Sequence, residues 1–181
     1  MPDISIAPGY GRLLTLLVKM NQSQSILEIG ALGGYSGICL ARGLSEDGKL
    51  LSLELKQEFA DVARRHLELA GLAEHVFYRI GDAQDSIQQL CDEGLTFDFF
   101  FIDANKAAYP FYLSKCIELS VPGAVIVADN TILKGRVADP ENQSESVQAM
   151  REFNETMIHH PKLEGVVLPA YDGLSVARVR A

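Results

Sequence analysis

Hydrophobic residues along the chain follow two spacings, and the switches between them divide it into elements. Leu13, Leu14, Leu17, Val18 and Met20 in "YGRLLTLLVKM" recur at the interval of a helix face, and that helix ends near Asn21. "SILEIG" then reads as a strand, "YSGICLARGL" as a helix, "KLLSLEL" as a strand, and Gln57 to Ala70 as a helix stopped by Gly71. The alternation continues with a strand at "HVFYRIG", a helix from Ala83 to Cys91, a strand at "TFDFFFID", a helix from Tyr109 to Leu119 and a strand at "GAVIVAD". Phe97 to Ile102 and Ala124 to Ala128 are nearly continuous apolar runs, as expected of parallel strands buried on both faces. Strands alternating with helices in this way predict an α/β fold, a parallel sheet covered on both sides. After a helix from Ser144 to His159, "LEGVVLPA" and "GLSVARVR" flank the turn pair Asp172-Gly173, which predicts a hairpin at the sheet edge.

Size and composition narrow the class. A chain of 181 residues suits one domain, read here as 1–181 with a short lead over 1–24. With 48% hydrophobic and 22% charged residues, the composition is that of a soluble globular protein. No apolar run approaches the length needed to span a bilayer and no basic-then-apolar leader opens the chain, so a cytoplasmic protein without membrane contact is expected. Cys39, Cys91 and Cys116 are an odd number in apolar surroundings, which reads as buried thiols rather than a disulfide frame or a zinc site. The net charge of -8 argues against an extended nucleic-acid face, while leaving contact with one exposed nucleotide open.

In an open parallel sheet, ligands bind beyond the carboxyl ends of the strands. Those ends carry Glu28, Glu54, Asp82, Asp103 and Asp129, an acid at each of the parallel strands, which a purely structural sheet does not need. "LEIGALGGYSG" follows the first strand and opens a helix, the context of a nucleotide-binding loop. Gly30 and Gly34 allow tight turning and close backbone approach, and the helix start at Tyr35 and Ser36 offers unpaired N–H groups. A dinucleotide pyrophosphate there would meet the negative charge of Glu28. A sulfonium cofactor with an amino-acid tail suits that acid better. Glu54 stands where an acid on the second strand meets ribose hydroxyls, and Asp82 with the Ala83 N–H can accept and donate at an adenine edge. The structural alternative for Asp82 is a helix N-cap before "AQDSIQQL".

Asp103, Asp129 and Asn130 offer hard oxygen ligands from neighbouring strand ends, a donor set for Mg2+, or for Mn2+ or Ca2+, rather than zinc. Such an ion keeps positions for two adjacent hydroxyls of one substrate and acidifies them. Lys106, three residues beyond Asp103, is placed to take the proton. The bland alternatives are a turn at Asp129-Asn130 and a solvated surface lysine.

Taken together and in order, "LEIGALGGYSG", "GDAQ", "FDFFFIDANKAAYPFY", "VPGAVIVADNTILKGRVADP" and "YDGLSVARV" resemble the cation-dependent, S-adenosylmethionine-dependent O-methyltransferases, the family of catechol and caffeoyl-CoA O-methyltransferases. The resemblance spans nearly the whole chain. It implies a class I methyltransferase fold: a Rossmann-like, doubly wound seven-stranded sheet whose last strand is antiparallel. It implies a divalent cation at Asp103, Asp129 and Asn130, with Lys106 as the base. Cofactor contacts are implied for Ile6, Glu28, Gly30, Gly34, Tyr35, Ser36, Glu54, Asp82, Ala83 and Asp103. The expected acceptor is a small catechol-like, vicinal-diol or phenolic molecule. A hydroxylated tRNA uridine is the alternative, and a nicotinamide dehydrogenase or a non-catalytic cofactor-binding module are rivals from other classes. Members of the family often form homodimers through N-terminal helices that precede the region this chain opens on, so a more open acceptor wall, or one completed by a second copy, is expected. Ala124 stands where the family commonly has glycine, away from the proposed chemistry. Lys134 and Arg136 fall in a loop near the cation, where they are either solvated or available to an acidic acceptor group.

Overall fold

In the computed structural model, which describes residues 6–180, helix α1 (Pro8–Asn21) leads into a strict alternation of strands and helices. It runs β1 (Ser25–Ile29), α2 (Tyr35–Ala41), β2 (Lys49–Glu54), α3 (Gln57–Leu69), β3 (Val76–Ile80), α4 (Ala83–Asp92), β4 (Phe97–Ile102), α5 (Tyr109–Glu118) and β5 (Ser120–Asp129). Helix α6 (Glu145–His159) and the strands β6 (Leu163–Leu168) and β7 (Leu174–Val179) complete it. Proline at the start of α1 and α5 sits where a missing N–H costs nothing, and Gln22 in the left-handed region ends α1.

The seven strands form one sheet in the order β3-β2-β1-β4-β5-β7-β6. β1 to β5 are parallel, and β7 runs antiparallel to both neighbours. The alternating side chains of β4 divide the core. Phe99 and Phe101 face a layer that includes Tyr10, Leu14, Val18 and Leu40, whereas Phe100 and Ile102 face Ile87, Leu90, Tyr109 and Phe153. Helices α1, α2 and α3 therefore cover one face, and α4, α5 and α6 the other. The polar member of the run, Asp98, accepts hydrogen bonds from the backbone N–H groups of Gln24, at 2.7 Å, and Ser25, at 3.2 Å, and so ties β4 to the start of β1.

One expectation is corrected. β5 starts at Ser120 rather than at Gly123, and its pairing with β4 slips between Phe97 and Phe99. Pro122, which has no N–H to give the ladder, and Gly123, at φ +86°, occupy the irregular stretch. The terminal hairpin stands at the sheet edge as expected, with β7 rather than β6 paired to β5 and β6 forming the border. Burial explains the choice, since Leu174, Ala177 and Val179 of β7 are buried while Val166 of β6 is about half exposed. Among the described residues no helix is long and apolar enough to cross a membrane.

Candidate active site

The strand order reverses at β1 and β4, which lie side by side although the chain visits β2 and β3 between them. A crevice opens beyond their carboxyl ends, where α/β sheets bind ligands. Here it is a cavity of about 540 Å3. Gly30, at φ +102°, forms its floor, and a Cβ added there would collide with the Asp103 carbonyl oxygen. The two strand ends approach so closely that only glycine fits.

The glycine loop is held by an acid. Glu54 Oε2 accepts the N–H groups of Ala31, at 3.2 Å, and Leu32, at 2.9 Å, while Oε1 accepts the Lys56 N–H at 3.0 Å. These bonds shape the loop and leave acceptor capacity on a carboxylate that lines the cavity. Gly34, at φ +80°, begins α2 and packs so tightly on α3 that a Cβ would lie 2.9 Å from that of Ala63.

Of the residues expected at the cofactor, Ile6, Gly30, Tyr35, Ser36, Glu54, Asp82, Ala83 and Asp103 line the cavity. Glu28 and Gly34 do not. Gly34 turns toward α3. Glu28 lies beneath the loop with no solvent exposure, its two carboxylate oxygens accepting the hydroxyls of Ser36 and Ser52 at 2.5 Å each. Burial pushes its carboxyl up to about 7 despite the opposing effect of the two serine bonds, and Asp103 and Glu54 add to the rise. The direct contact expected of Glu28 is thus replaced by a position behind Ser36. Asp82 caps α4, the structural alternative weighed for it, by accepting the Gln84 N–H at 2.7 Å, and it also borders the cavity.

At the far end of the cavity Lys106 Nζ donates to Asp103 Oδ1 at 2.8 Å and to the Tyr109 hydroxyl at 2.6 Å. That hydroxyl lies 3.0 Å from the Asp129 carbonyl oxygen and 3.2 Å from that of Ile102. Burial first, then the charges of Asp103 and Asp129, hold the Tyr109 phenol well above its ordinary range, so it stays a neutral donor. Asn130 lines the cavity at φ +59°, a left-handed backbone that asparagine tolerates better than most residues, and its N–H donates to Asp129 Oδ1 at 2.8 Å. Asp129 itself does not line the cavity and is 3% exposed. Burial pushes its carboxyl up to about 6; the Asn130 bond opposes the rise and Asp103 reinforces it.

The donor set is two carboxylates and one amide; no cluster of three or more His, Cys, Asp or Glu side chains occurs among the described residues. Such oxygens suit a hard cation. An added positive charge would also offset the burial of Asp129 and its repulsion from Asp103, so the residues fit a divalent ion.

Residues 1–180 match the family model described as O-methyltransferase. The chain is 41% identical to a catechol O-methyltransferase of Niastella koreensis, over 99% of this chain and 84% of that protein. The chain belongs to the O-methyltransferase family. It is 32% identical to caffeoyl-CoA O-methyltransferase 1 of Eucalyptus globulus, over 93% of this chain and 72% of that one. The crystal structure of the O-methyltransferase TomG from Streptomyces achromogenes, in complex with SAM, superposes with a TM-score of 0.93 at 38% identity, covering 100% of this chain and 84% of TomG. The sheet with its antiparallel β7 is accordingly the class I methyltransferase fold.

The site of this O-methyltransferase also contains residues that the sequence alone does not mark. Tyr109 connects Lys106 to the backbone of both acid-bearing strands, although its letter in "KAAYPFY" looks like an ordinary core aromatic. Phe59, Leu55 and Tyr112 supply apolar walls to the cavity. Phe59 and Tyr112 sit on α3 and α5 at positions whose periodicity reads equally well as core, so only the tertiary placement marks them.

Proposed function

We propose that this O-methyltransferase transfers the methyl group of S-adenosylmethionine to a hydroxyl oxygen of a catechol-like or other vicinal-diol acceptor, with Mg2+ or a similar divalent cation at Asp103, Asp129 and Asn130. The observation that carries the reading is the Lys106–Asp103 ion pair: it stands beside Asn130 in the same cavity that the glycine loop borders. The bound cofactor supplies an activated methyl group and the cation acidifies the acceptor hydroxyl. As the S–CH3 bond breaks and the O–CH3 bond forms, the cofactor would leave as a neutral thioether, and the hydroxyl proton would pass to Lys106 Nζ, which accepts it as a neutral amine after giving its own ammonium proton to solvent.

The chain's own part is positioning. Glu54 and the backbone N–H groups it restrains hold the loop against the cofactor, with Asp82 and Ala83 at its adenine end and Ile6, Tyr35 and Ser36 along its flank. Phe59, Leu55 and Tyr112 exclude water from the apolar side. Tyr109 holds Lys106 at the end of β4, so that the base and the acceptor oxygen meet in one orientation. Aligning donor and acceptor in this way removes much of the entropic barrier to transfer.

Two measurements test the proposal. Titration should show binding of S-adenosylmethionine and none of NAD, and the reverse preference would favour a dehydrogenase. Mass spectrometry over catechols, caffeoyl esters and hydroxyuridine-containing tRNA, with Mg2+ present, should find a product heavier by one CH2 for the small vicinal diols. A product only on tRNA would replace the acceptor class proposed here.

A further inference from the structure

The turn between β6 and β7 lies at the same end of the sheet as the cavity, because β7 runs antiparallel to β5 and Leu174 at its start pairs with Asp129 at the end of β5. Tyr171 stands in that turn. It is 71% exposed, and its φ of +49° is a left-handed conformation in which a bulky side chain is strained. The close approach of the turn to the loop after β5 does not depend on it: Gly173 makes that approach, packing on Ile132, and Thr131 N–H donates to the Gly173 carbonyl at 3.2 Å. Tyr171 stands outside the cavity lining, and backbone strain that the packing of the turn does not require is a pointer to function.

Residues far away in the chain agree on where the Tyr171 ring sits. Tyr10, on α1 and 4% exposed, meets it edge to face, with centroids 4.9 Å apart and planes at 76°. The Tyr10 hydroxyl donates to the Ala170 carbonyl of the same turn. Gly9 leaves the space the ring needs, since a Cβ there would lie 2.7 Å from the Tyr171 hydroxyl oxygen. Tyr10 also borders the acid-bearing end of β5: after burial, the Asp129 charge is the largest influence raising its phenol.

The strand order shows what the pair faces. Along β1-β4-β5-β7 the strand ends carry the glycine loop, then Asp103, then Asp129 and Asn130, then the Tyr171 turn. A cofactor over β1 and β4, with an acceptor hydroxyl at the end of β5, leaves the body of the acceptor on the β7 side. We propose that Tyr171, propped from behind by the buried Tyr10, forms the wall on which the aromatic ring of a vicinal-diol acceptor packs, so that it selects planar aromatic acceptors. The inference rests on the reading that the acceptor hydroxyl is held at Asp103, Asp129 and Asn130. Aromatic pairs favour stacked or edge-to-face contacts at the distance already seen between the two tyrosines.

The test is titration of catechol into the enzyme loaded with Mg2+ and S-adenosylhomocysteine, with the affinity for S-adenosylhomocysteine and the Tm measured alongside. Tyr171→Gly should raise the catechol Kd by about 2- to 10-fold, the size expected of one lost aromatic contact. Its affinity for S-adenosylhomocysteine should not change, and its Tm should not fall, because glycine relieves the strained φ. Tyr171→Phe should bind catechol as the wild type does. Gly9→Ala, which displaces the ring without removing it, should weaken catechol in the same direction as Tyr171→Gly. An unchanged catechol Kd in Tyr171→Gly, or a parallel loss of catechol and S-adenosylhomocysteine, overturns the wall while the acceptor class stands. Failure of the wild type to bind catechol overturns both.

Discussion

Lys106 and Asp103, three residues apart, face each other across 2.8 Å, and the Tyr109 hydroxyl accepts a second hydrogen bond from the same ammonium group at 2.6 Å. The lysine is thereby held over the end of β4 rather than left to sweep through solvent. If Lys106 is the base, Lys106→Ala should lower turnover by about 10²- to 10⁴-fold, the range of general-base contributions, while cofactor affinity is kept. Tyr109→Phe keeps the buried ring and removes only the tether, so its loss of turnover should be smaller. Single-turnover rates together with cofactor titration check both; wild-type turnover in Lys106→Ala would remove it from the chemistry.

Glu28 links stability to pH. Its carboxyl is pushed from an ordinary 4.5 to about 7, chiefly by burial. Between those values the folded chain holds a proton that the unfolded chain has released, so stability falls as pH rises through this window and is fully present only below it. Glu28→Gln carries no ionisation to suppress. Its stability relative to wild type should therefore grow between pH 4.5 and 7, by at most about 3 kcal/mol, since each tenfold difference in proton affinity is worth about 1.4 kcal/mol. Urea unfolding of both proteins across that range tests it, and a difference independent of pH would show that Glu28 folds already charged.

Gly30 is the tightest point of the cofactor loop. Alanine there would need φ near +102° and would drive its Cβ into the Asp103 carbonyl. Gly30→Ala should cost more than about 1 kcal/mol of stability, and it should weaken cofactor binding because β1 and β4 must part. Thermal unfolding and titration check the two effects. A variant with wild-type Tm would mean that the strand ends yield more easily than their close contact implies.

How much of this was legible in the sequence depends on the range of the interaction. The alternation of β1 to β5 with helices and the acids at their ends follow from local periodicity, and Phe97 to Ile102 announce a strand buried on both faces. The insertion of β7 between β5 and β6 does not, because "LEGVVLPA" and "GLSVARVR" are equally strand-like and only burial in the assembled sheet decides which one pairs with β5. Glu28 illustrates the limit at the site. Its place after the first strand is readable, but its withdrawal behind Ser36 depends on Ser52 reaching it from the neighbouring strand. The Tyr10–Tyr171 contact joins residues from opposite ends of the chain, and no local pattern marks it.

Methyl transfer supported by a divalent cation at Asp103, Asp129 and Asn130 is tested most directly by one measurement: methylation of catechol by the wild-type protein with S-adenosylmethionine, in excess chelator and again after Mg2+ is restored. Product should be lost in chelator and recovered with Mg2+. Full turnover in excess chelator would contradict the role given to the cation.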